Sequence, residues 1–110
     1  MRDDRGRLED ILEAISKITK ETSRGKKHFE SSEILQTYVV HNIQIIGEAA
    51  RGLSDGLKNE KRRVPWRQII EMRNVLVHEY FAINTDRVWS VVRHDLPDLR
   101  AKIKTILAGL

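Results

Sequence analysis

The sequence contains no cysteine, only two prolines and few aromatic residues. Without cysteine, disulfide-stapled scaffolds and thiolate metal sites are excluded. No apolar run approaches the roughly 18 residues of a membrane span, and the N-terminal "MRDDRGRLED" lacks the apolar core of a signal peptide. With 40% hydrophobic and 33% charged residues, the composition is that of a globular protein. We therefore expect a soluble protein of the cytoplasm that has an ordinary hydrophobic core.

The length and the charge set the scale of the protein and allow one class of partner. A chain of 110 residues fits a single domain, residues 1–110. The formal net charge of +4 permits a polyanionic partner without requiring one. Two basic clusters, "RGKKH" and "KNEKRR", can contact phosphates, although most such runs are simply solvated loops.

Apolar residues recur at three- and four-residue steps almost throughout, which is the spacing of amphipathic helices. No segment alternates with the period of two that is typical of strands. The pattern predicts an all-α antiparallel bundle of four to five helices. The expected helices are Asp3–Ser23, then one capped by Ser31 or Ser32 and running to Leu53, then Pro65–Phe81, then one capped by Asn84 or Thr85.

The segments between these helices are expected to be loops. "RGKKHFESS" is predicted to be a polar loop, and the glycines Gly52 and Gly56 with "KNEKRR" a basic one. Near the C-terminus, Pro97 either kinks the last helix or lies in the first turn of a new helix capped by Asp95. The middle of the second helix, "YVVHNIQIIGEAA", is apolar nearly all round. Such a helix is covered on more than one side, by the bundle or by a second subunit.

The third helix carries polar residues in an otherwise apolar stretch, "RNVLVHEYF". At about 100° per residue, Arg73 lies in the centre of the apolar stripe, with Tyr80 on the same side. Asn74 and His78 are four residues apart and share an adjoining polar stripe. Arg73 and His78 are about 140° apart. The long arginine side chain can span that separation, or a second copy of the helix can close it across a two-fold axis.

Arginine and histidine without a carboxylate cluster are suited to metal-independent RNA cleavage. A neutral histidine can take the proton from a ribose 2′-hydroxyl, and a guanidinium can stabilise charge on the phosphorus centre. Each residue also has a structural interpretation: Arg73 as an ion-paired residue, for example with Glu48, and His78 as a hydrogen-bonded structural group. The four histidines, His28, His41, His78 and His94, have no metal-binding spacing, and no cofactor is predicted.

The motif "RNVLVHEY", an arginine followed by four residues, a histidine, one residue and a tyrosine, resembles the signature of the HEPN ribonucleases. With "VPWRQIIEMRN", "NIQIIGEAARGLS" and "VWSVVRHDLPDL" around it, the chain is similar over nearly its whole length to the HepT-like toxins. The resemblance implies a dimeric helical bundle and a metal-independent endoribonuclease of a toxin–antitoxin system. It makes Arg73 and His78 the catalytic pair and Asn74 a supporting residue. It also implies that a nucleotidyltransferase antitoxin of the MNT type modifies Tyr80 with AMP.

Two other hypotheses stay open at this point. The protein can be a non-catalytic dimeric RNA-binding or interaction subunit of a nucleotidyltransferase complex. It can also be an inert bundle in which Arg73 is an ion-paired interface residue, so that Arg73→Met is tolerated. Glu71 and His41 are departures from the expected pattern that can tune the activity or be neutral.

Overall fold

The structure is a computed structural model that describes residues 2–76 and 82–110. All regular secondary structure in these two ranges is helical, as predicted. The helices are α1 (Asp4–Thr22), α2 (Lys26–Glu30), α3 (Glu33–Gly52), α4 (Asp55–Glu60), α5 (Trp66–Leu76), α6 (Thr85–Ser90) and α7 (Leu96–Ala108). A π-helical turn, Val91–Asp95, joins the last two. In the described part of the chain, no helix is both long enough and apolar enough to cross a membrane.

The core lies around α1, which packs on both α3 and α7. Each of these helices contributes one buried apolar stripe with helical spacing. The fully or nearly fully buried members are Leu8, Ile11, Ile15 and Ile18 on α1, Val39, Ile43 and Ile46 on α3, and Leu96, Leu99 and Ile103 on α7. The buried residues therefore follow the three- and four-residue spacing seen in the sequence.

Helices α1, α3 and α6 begin at the residues that the sequence indicated. The Asp3 carboxylate accepts a hydrogen bond from the Gly6 amide at 2.7 Å and caps α1. The Ser32 hydroxyl accepts from the Leu35 amide at 3.1 Å and caps α3, and the Asn84 side chain caps α6 in the same way. These contacts confirm the predicted first helix and the predicted starts of the second and fourth.

Both predicted loops contain a short helix, and on this point the prediction was wrong. "RGKKHFESS" includes α2, which buries Phe29 completely, with its ring centroid 5.5 Å from that of Trp89. The basic segment includes α4, which is capped by Ser54 and buries Leu57. Burial of one apolar side chain stabilises each short helix, although neither is long enough to show a period in the sequence.

The N-terminus of the chain holds α4 in place. The Asp4 carboxylate accepts from the Ser54 amide at 2.8 Å and from its hydroxyl at 2.6 Å. These hydrogen bonds favour the ionised carboxylate, so the pKa of Asp4 is lowered from its usual value of 3.8. The Ser54 hydroxyl in turn accepts from the Leu57 amide at 3.2 Å. One chain of hydrogen bonds therefore connects the start of α1 to the first turn of α4.

The chain remains helical through Pro97. Pro97 lies in the first turn of α7, as one of the two alternatives predicted, but Asp95 has helical backbone angles and its side chain makes no capping hydrogen bond, so the predicted cap by Asp95 is wrong. Proline lacks an amide proton and its ring crowds the carbonyl four residues earlier. The carbonyl four residues before Pro97 belongs to Arg93, which lies within the π-helical turn Val91–Asp95. The wider turn is therefore found where the proline disturbs the α-helical hydrogen bonds.

Helix α5 packs closely along α3 through Gly47. A Cβ atom at Gly47 would lie 3.1 Å from the Ile70 carbonyl oxygen and 3.3 Å from that of Ile69. Trp66, Ile69 and Leu76 are the buried residues of α5. The predicted helical end at Phe81 lies outside the described residues. The Asn84 amide donates to the Leu76 carbonyl at 2.9 Å, so the chain returns to the end of α5 at that point.

Candidate active site

The last turn of α5 places Arg73 and Asn74 beside α3. Arg73 is half-buried and Asn74 is exposed. Both line a groove of about 410 Å³, which also includes Ile70 of α5. The α3 side of the groove is formed by Gln44, Gly47, Glu48 and Arg51. Because Gly47 has no side chain, α5 approaches α3 closely enough for residues of both helices to meet here.

The groove is polar and carries charges of both signs. Arg51 and Arg73 contribute guanidinium groups, and Glu48 contributes a carboxylate. The Gln44 amide nitrogen donates to the Glu48 carboxylate at 3.3 Å. Two guanidinium groups and the Asn74 amide are donors of the kind that bind a phosphate, and arginine can bind one through two parallel hydrogen bonds.

The structure brings together two of the four predicted site residues. Arg73 and Asn74 lie in one groove, while His78 and Tyr80 lie outside the described residues. The predicted catalytic pair and the predicted modification of Tyr80 therefore stay predictions. The Leu76 carbonyl, at the end of α5, accepts a hydrogen bond from the Asn84 amide. That end of the helix is the one next to the groove.

Glu71 points along α5 rather than into the groove. Its carboxylate lies 4.0 Å from the Arg67 guanidinium, one helical turn away, and both side chains are mostly exposed. An exposed pair at this spacing contributes at most about 0.5 kcal/mol. His41 is exposed on α3, one turn from the exposed Tyr38. Neither residue lines the groove that holds Arg73.

Sequence reasoning missed the contribution of α3 to the groove. Gln44 and Arg51 were not among the candidate residues, although Glu48 was considered as an ion-pair partner for Arg73. The available signal is their spacing: Gln44, Glu48 and Arg51 are four and three residues apart, a polar stripe on a helix that is otherwise apolar. Among the described residues, no three histidine, aspartate or glutamate side chains cluster in a way that could hold a metal ion.

Comparison with known families identifies the class of protein. The family model for the HepT-like ribonucleases matches residues 11–106. The chain therefore belongs to the HepT-like ribonuclease family. The matched range includes Arg73 and Asn74 as well as the three α3 residues on the polar side of the groove.

Individual relatives support the same assignment. The chain is 33% identical over 100 residues to the "Probable ribonuclease HepT" of Thermococcus cleftensis, covering 90% of this chain and 91% of the relative. It is 28% identical over 106 residues to a "Putative RNase" of Methanocaldococcus jannaschii, covering 96% and 97%.

A second protein of M. jannaschii, a "Gamma-glutamylcyclotransferase and putative RNase", is 35% identical over 104 residues. That match covers 94% of this chain and 47% of the relative, so the chain spans about half the length of that protein. No solved structure matches the chain.

Proposed function

We propose that the protein is a metal-independent endoribonuclease that acts as the toxin of a toxin–antitoxin system. It cleaves RNA in a cleft between two copies of the chain. Arg73 and His78 are the catalytic residues and Asn74 supports them. An MNT-type nucleotidyltransferase antitoxin neutralises the toxin by attaching AMP to Tyr80.

The observation that carries this proposal is the position of Arg73 and Asn74 in a chain of the HepT-like ribonuclease family. Both line a polar groove, where they can be reached by a substrate. A half-buried arginine beside an exposed amide is a suitable binding site for a phosphate diester. His78 follows Asn74 by four residues in the sequence, which supports a common role.

The proposed chemistry uses only groups of the protein and the RNA. Neutral His78 accepts the proton of the ribose 2′-hydroxyl, and the 2′-oxygen attacks the adjoining phosphorus. The bond to the 5′-oxygen breaks, and a protonated histidine supplies the proton that this leaving oxygen takes up. The products are a 2′,3′-cyclic phosphate and a free 5′-hydroxyl. Arg73 stabilises the charge that develops on the phosphate oxygens.

An exposed stripe on α3 supports the proposal that two copies assemble. Ile34 is 85% exposed and Tyr38 is 36% exposed, and His41 and Ile45 continue the same face at helical spacing. Glu48, one turn further on, lines the groove that holds Arg73. A second copy on this stripe would therefore lie next to Arg73. This arrangement is consistent with a cleft to which both chains contribute.

Modification of Tyr80 would block such a cleft in two ways. An attached AMP adds bulk, and its phosphate adds negative charge. The groove contains the guanidinium groups of Arg51 and Arg73, which an AMP phosphate can bind in place of RNA.

The decisive experiment is RNA cleavage by the purified protein with EDTA present. Wild-type protein should cut RNA and leave 2′,3′-cyclic phosphate ends, and His78→Ala should be inactive while keeping the helical circular dichroism spectrum. The matched control is His94→Ala, because His94 is exposed in the π-helical turn and should retain activity. Intact RNA with folded wild-type protein of unmodified mass would contradict the proposed activity.

The proposed modification of Tyr80 is tested separately, by the intact mass and the activity of the same protein. Incubation with an MNT-type nucleotidyltransferase and ATP should raise the intact mass by one AMP per chain and abolish cleavage. Tyr80→Phe should keep its mass and its activity in that incubation. AMP attachment to Tyr80→Phe, or full activity of the modified wild type, would refute the assignment of Tyr80.

A further inference from the structure

The positive charge of the protein is concentrated in one short segment. Residues 58–67, "KNEKRRVPWR", contain five of the 20 Lys and Arg residues and one of the 16 Asp and Glu residues. The other 100 residues therefore contain 15 basic and 15 acidic residues, so the net charge of +4 comes from this segment. We call its basic side chains, Lys58, Lys61, Arg62, Arg63 and Arg67, the basic edge.

The backbone beneath the basic edge is held by buried side chains. Leu57, Val64 and Trp66 are each at least 92% buried. The Lys61 carbonyl accepts hydrogen bonds from the Val64 amide and from the Trp66 indole nitrogen, both at 3.1 Å. The turn between α4 and α5 is therefore fixed, unlike a freely solvated loop. A partner that binds its side chains does not have to order the backbone.

The cations of the basic edge are poorly neutralised by the protein itself. Lys61 lies 3.7 Å from Glu60 in an exposed pair of little strength. The Lys58 side chain is only 20% exposed; its ammonium lies 4.0 Å from Asp55 and donates to the Arg51 carbonyl at 3.3 Å, so Lys58 is the best-partnered cation of the set. The Arg67 side chain is 90% exposed and lies 4.0 Å from Glu71.

Arg62 and Arg63 are exposed, and neither has an acidic side chain within 4.0 Å among residues 2–76 and 82–110. These guanidinium groups are available to an external anion.

The basic edge is continuous with the groove that holds Arg73. Arg67 precedes Arg73 by six residues on α5, which is about 9 Å along the helix axis. Arg67 and Asn74 are seven residues apart and differ by only about 20° around the axis, so they lie on the same face. Arg62 and Arg63 precede that helix in the fixed turn. An extended polyanion seated in the groove can therefore continue across Arg67 toward the turn.

We infer that the basic edge binds backbone phosphates of single-stranded RNA next to the phosphate held in the groove. This inference rests on the proposed function. A single strand is required because the 2′-oxygen, the phosphorus and the 5′-oxygen must lie in line for cleavage, which a regular A-form duplex does not provide. The bulky apolar residues of the segment, Val64 and Trp66, are buried, so it offers no large apolar side chain to insert into a lipid surface. Arg62, Arg63 and Arg67 increase the affinity for RNA without entering the chemical step.

The test compares two triple variants that carry the same net charge. Arg62→Gln/Arg63→Gln/Arg67→Gln and Lys20→Gln/Arg24→Gln/Lys27→Gln each lower it from +4 to +1. The second set is exposed at and just after the C-terminal end of α1. Lys20 is about 24 Å along that helix from Asp4, whose carboxylate is hydrogen-bonded to Ser54 at the start of α4. Binding is measured by fluorescence anisotropy with a single-stranded 2′-O-methyl RNA, which lacks the nucleophilic hydroxyl and stays intact.

The basic-edge variant should bind at least about tenfold more weakly, and its plot of log K against log salt should flatten by about 2, since each phosphate contact to a single strand contributes about 0.7. The control variant should stay within about threefold of wild type. In RNA cleavage, the basic-edge variant should show a raised KM with kcat unchanged. Thermal melts establish that both variants fold, and Arg62→Gln alone should show the same direction of change with a smaller loss.

Equal weakening in both triple variants would overturn the inference, because only net charge would then matter. Unchanged binding by the basic-edge variant would overturn it too, even if the wild type cleaves RNA. Polyglutamate that competes as well as RNA of equal charge would also overturn it in favour of an acidic protein partner. Selective loss of binding with no cleavage by the wild type would support the basic edge and contradict only the proposed catalysis.

Discussion

Replacement of Gly47 by alanine tests whether the contact between α3 and α5 positions the candidate site. In a helix interior, glycine to alanine ordinarily stabilises by about 0.5–1 kcal/mol. At Gly47, however, the new methyl group would lie 3.1 and 3.3 Å from the carbonyl oxygens of Ile70 and Ile69. In an α-helix, these two carbonyls accept from the amides four residues later, which belong to Asn74 and Arg73. The crowded atoms therefore belong to the backbone that carries the site.

The clash should outweigh the gain in helix propensity. Backbone atoms in the middle of a packed helix cannot move singly, so α5 as a whole must shift by a few tenths of an ångström. Overpacking of this kind costs about 1–3 kcal/mol. We expect Gly47→Ala to lose about 1 kcal/mol net, which lowers the melting temperature by about 4 °C for a domain of this size. The kcat/KM for RNA should fall by about tenfold, because Arg73 and Asn74 are displaced.

Gly56→Ala is the matched control for this prediction. Gly56 lies within α4, and a Cβ atom there would have no heavy atom within 4 Å. This variant should gain stability, by at most about 0.5–1 kcal/mol because Gly56 is in the first turn of α4, and keep full activity. Urea and thermal unfolding followed by circular dichroism measure both variants. If Gly47→Ala is stabilised as much as Gly56→Ala, the contact is loose and the reasoning is refuted.

Three further predictions concern the core, the start of α4 and the proposed dimer. Phe29→Ala should lose about 3–5 kcal/mol in urea unfolding, because its side chain is completely buried; a loss below 1 kcal/mol would show that α2 does not contribute to the core. Asp4→Ala should lose about 1 kcal/mol at pH 7, when its hydrogen bonds from Ser54 are removed. The folded pKa of Asp4 is lowered, so this loss is present above about pH 4 and disappears as the pH falls through the folded value; a loss independent of pH would contradict the ionised contact. Tyr38→Glu should convert a dimer to a monomer in sedimentation at micromolar concentration, whereas the exposed Ser16→Glu on α1 should not.

The long helices could be predicted from the sequence because their stability comes from a periodic apolar face. Leu8, Ile11, Ile15 and Ile18 repeat often enough to define α1, and a side chain that caps the helix marks its start. Phe29 and Leu57 gave no such signal, since each is the one apolar anchor of a helix with five or six residues. A single apolar residue in a polar segment has no period, and its burial depends on partners elsewhere in the chain. In the case of Phe29 that partner is Trp89.

The candidate site, too, could be predicted only in part from the sequence. The position of Arg73 and Asn74 on adjoining faces of α5 follows from 3.6 residues per turn. The groove itself depends on which face of α3 lies opposite, and that face includes Gly47, where the two backbones approach closely. Gln44 and Arg51 enter the groove only through this pairing, more than 20 residues away in the chain. No local pattern around Arg73 contains that information.

The hydrogen bonds between Asp4 and Ser54 also affect where the chain can be truncated without disturbing the fold. The family model begins at residue 11, seven residues after Asp4. A fragment that started there would lack the carboxylate that holds Ser54, and it would lack Leu8, which is completely buried. Since α4 leads directly into the basic edge, such a truncation should loosen the turn that carries Arg62 and Arg63. The range that the family model matches is therefore narrower than the unit that folds, and expressed fragments should retain the first ten residues.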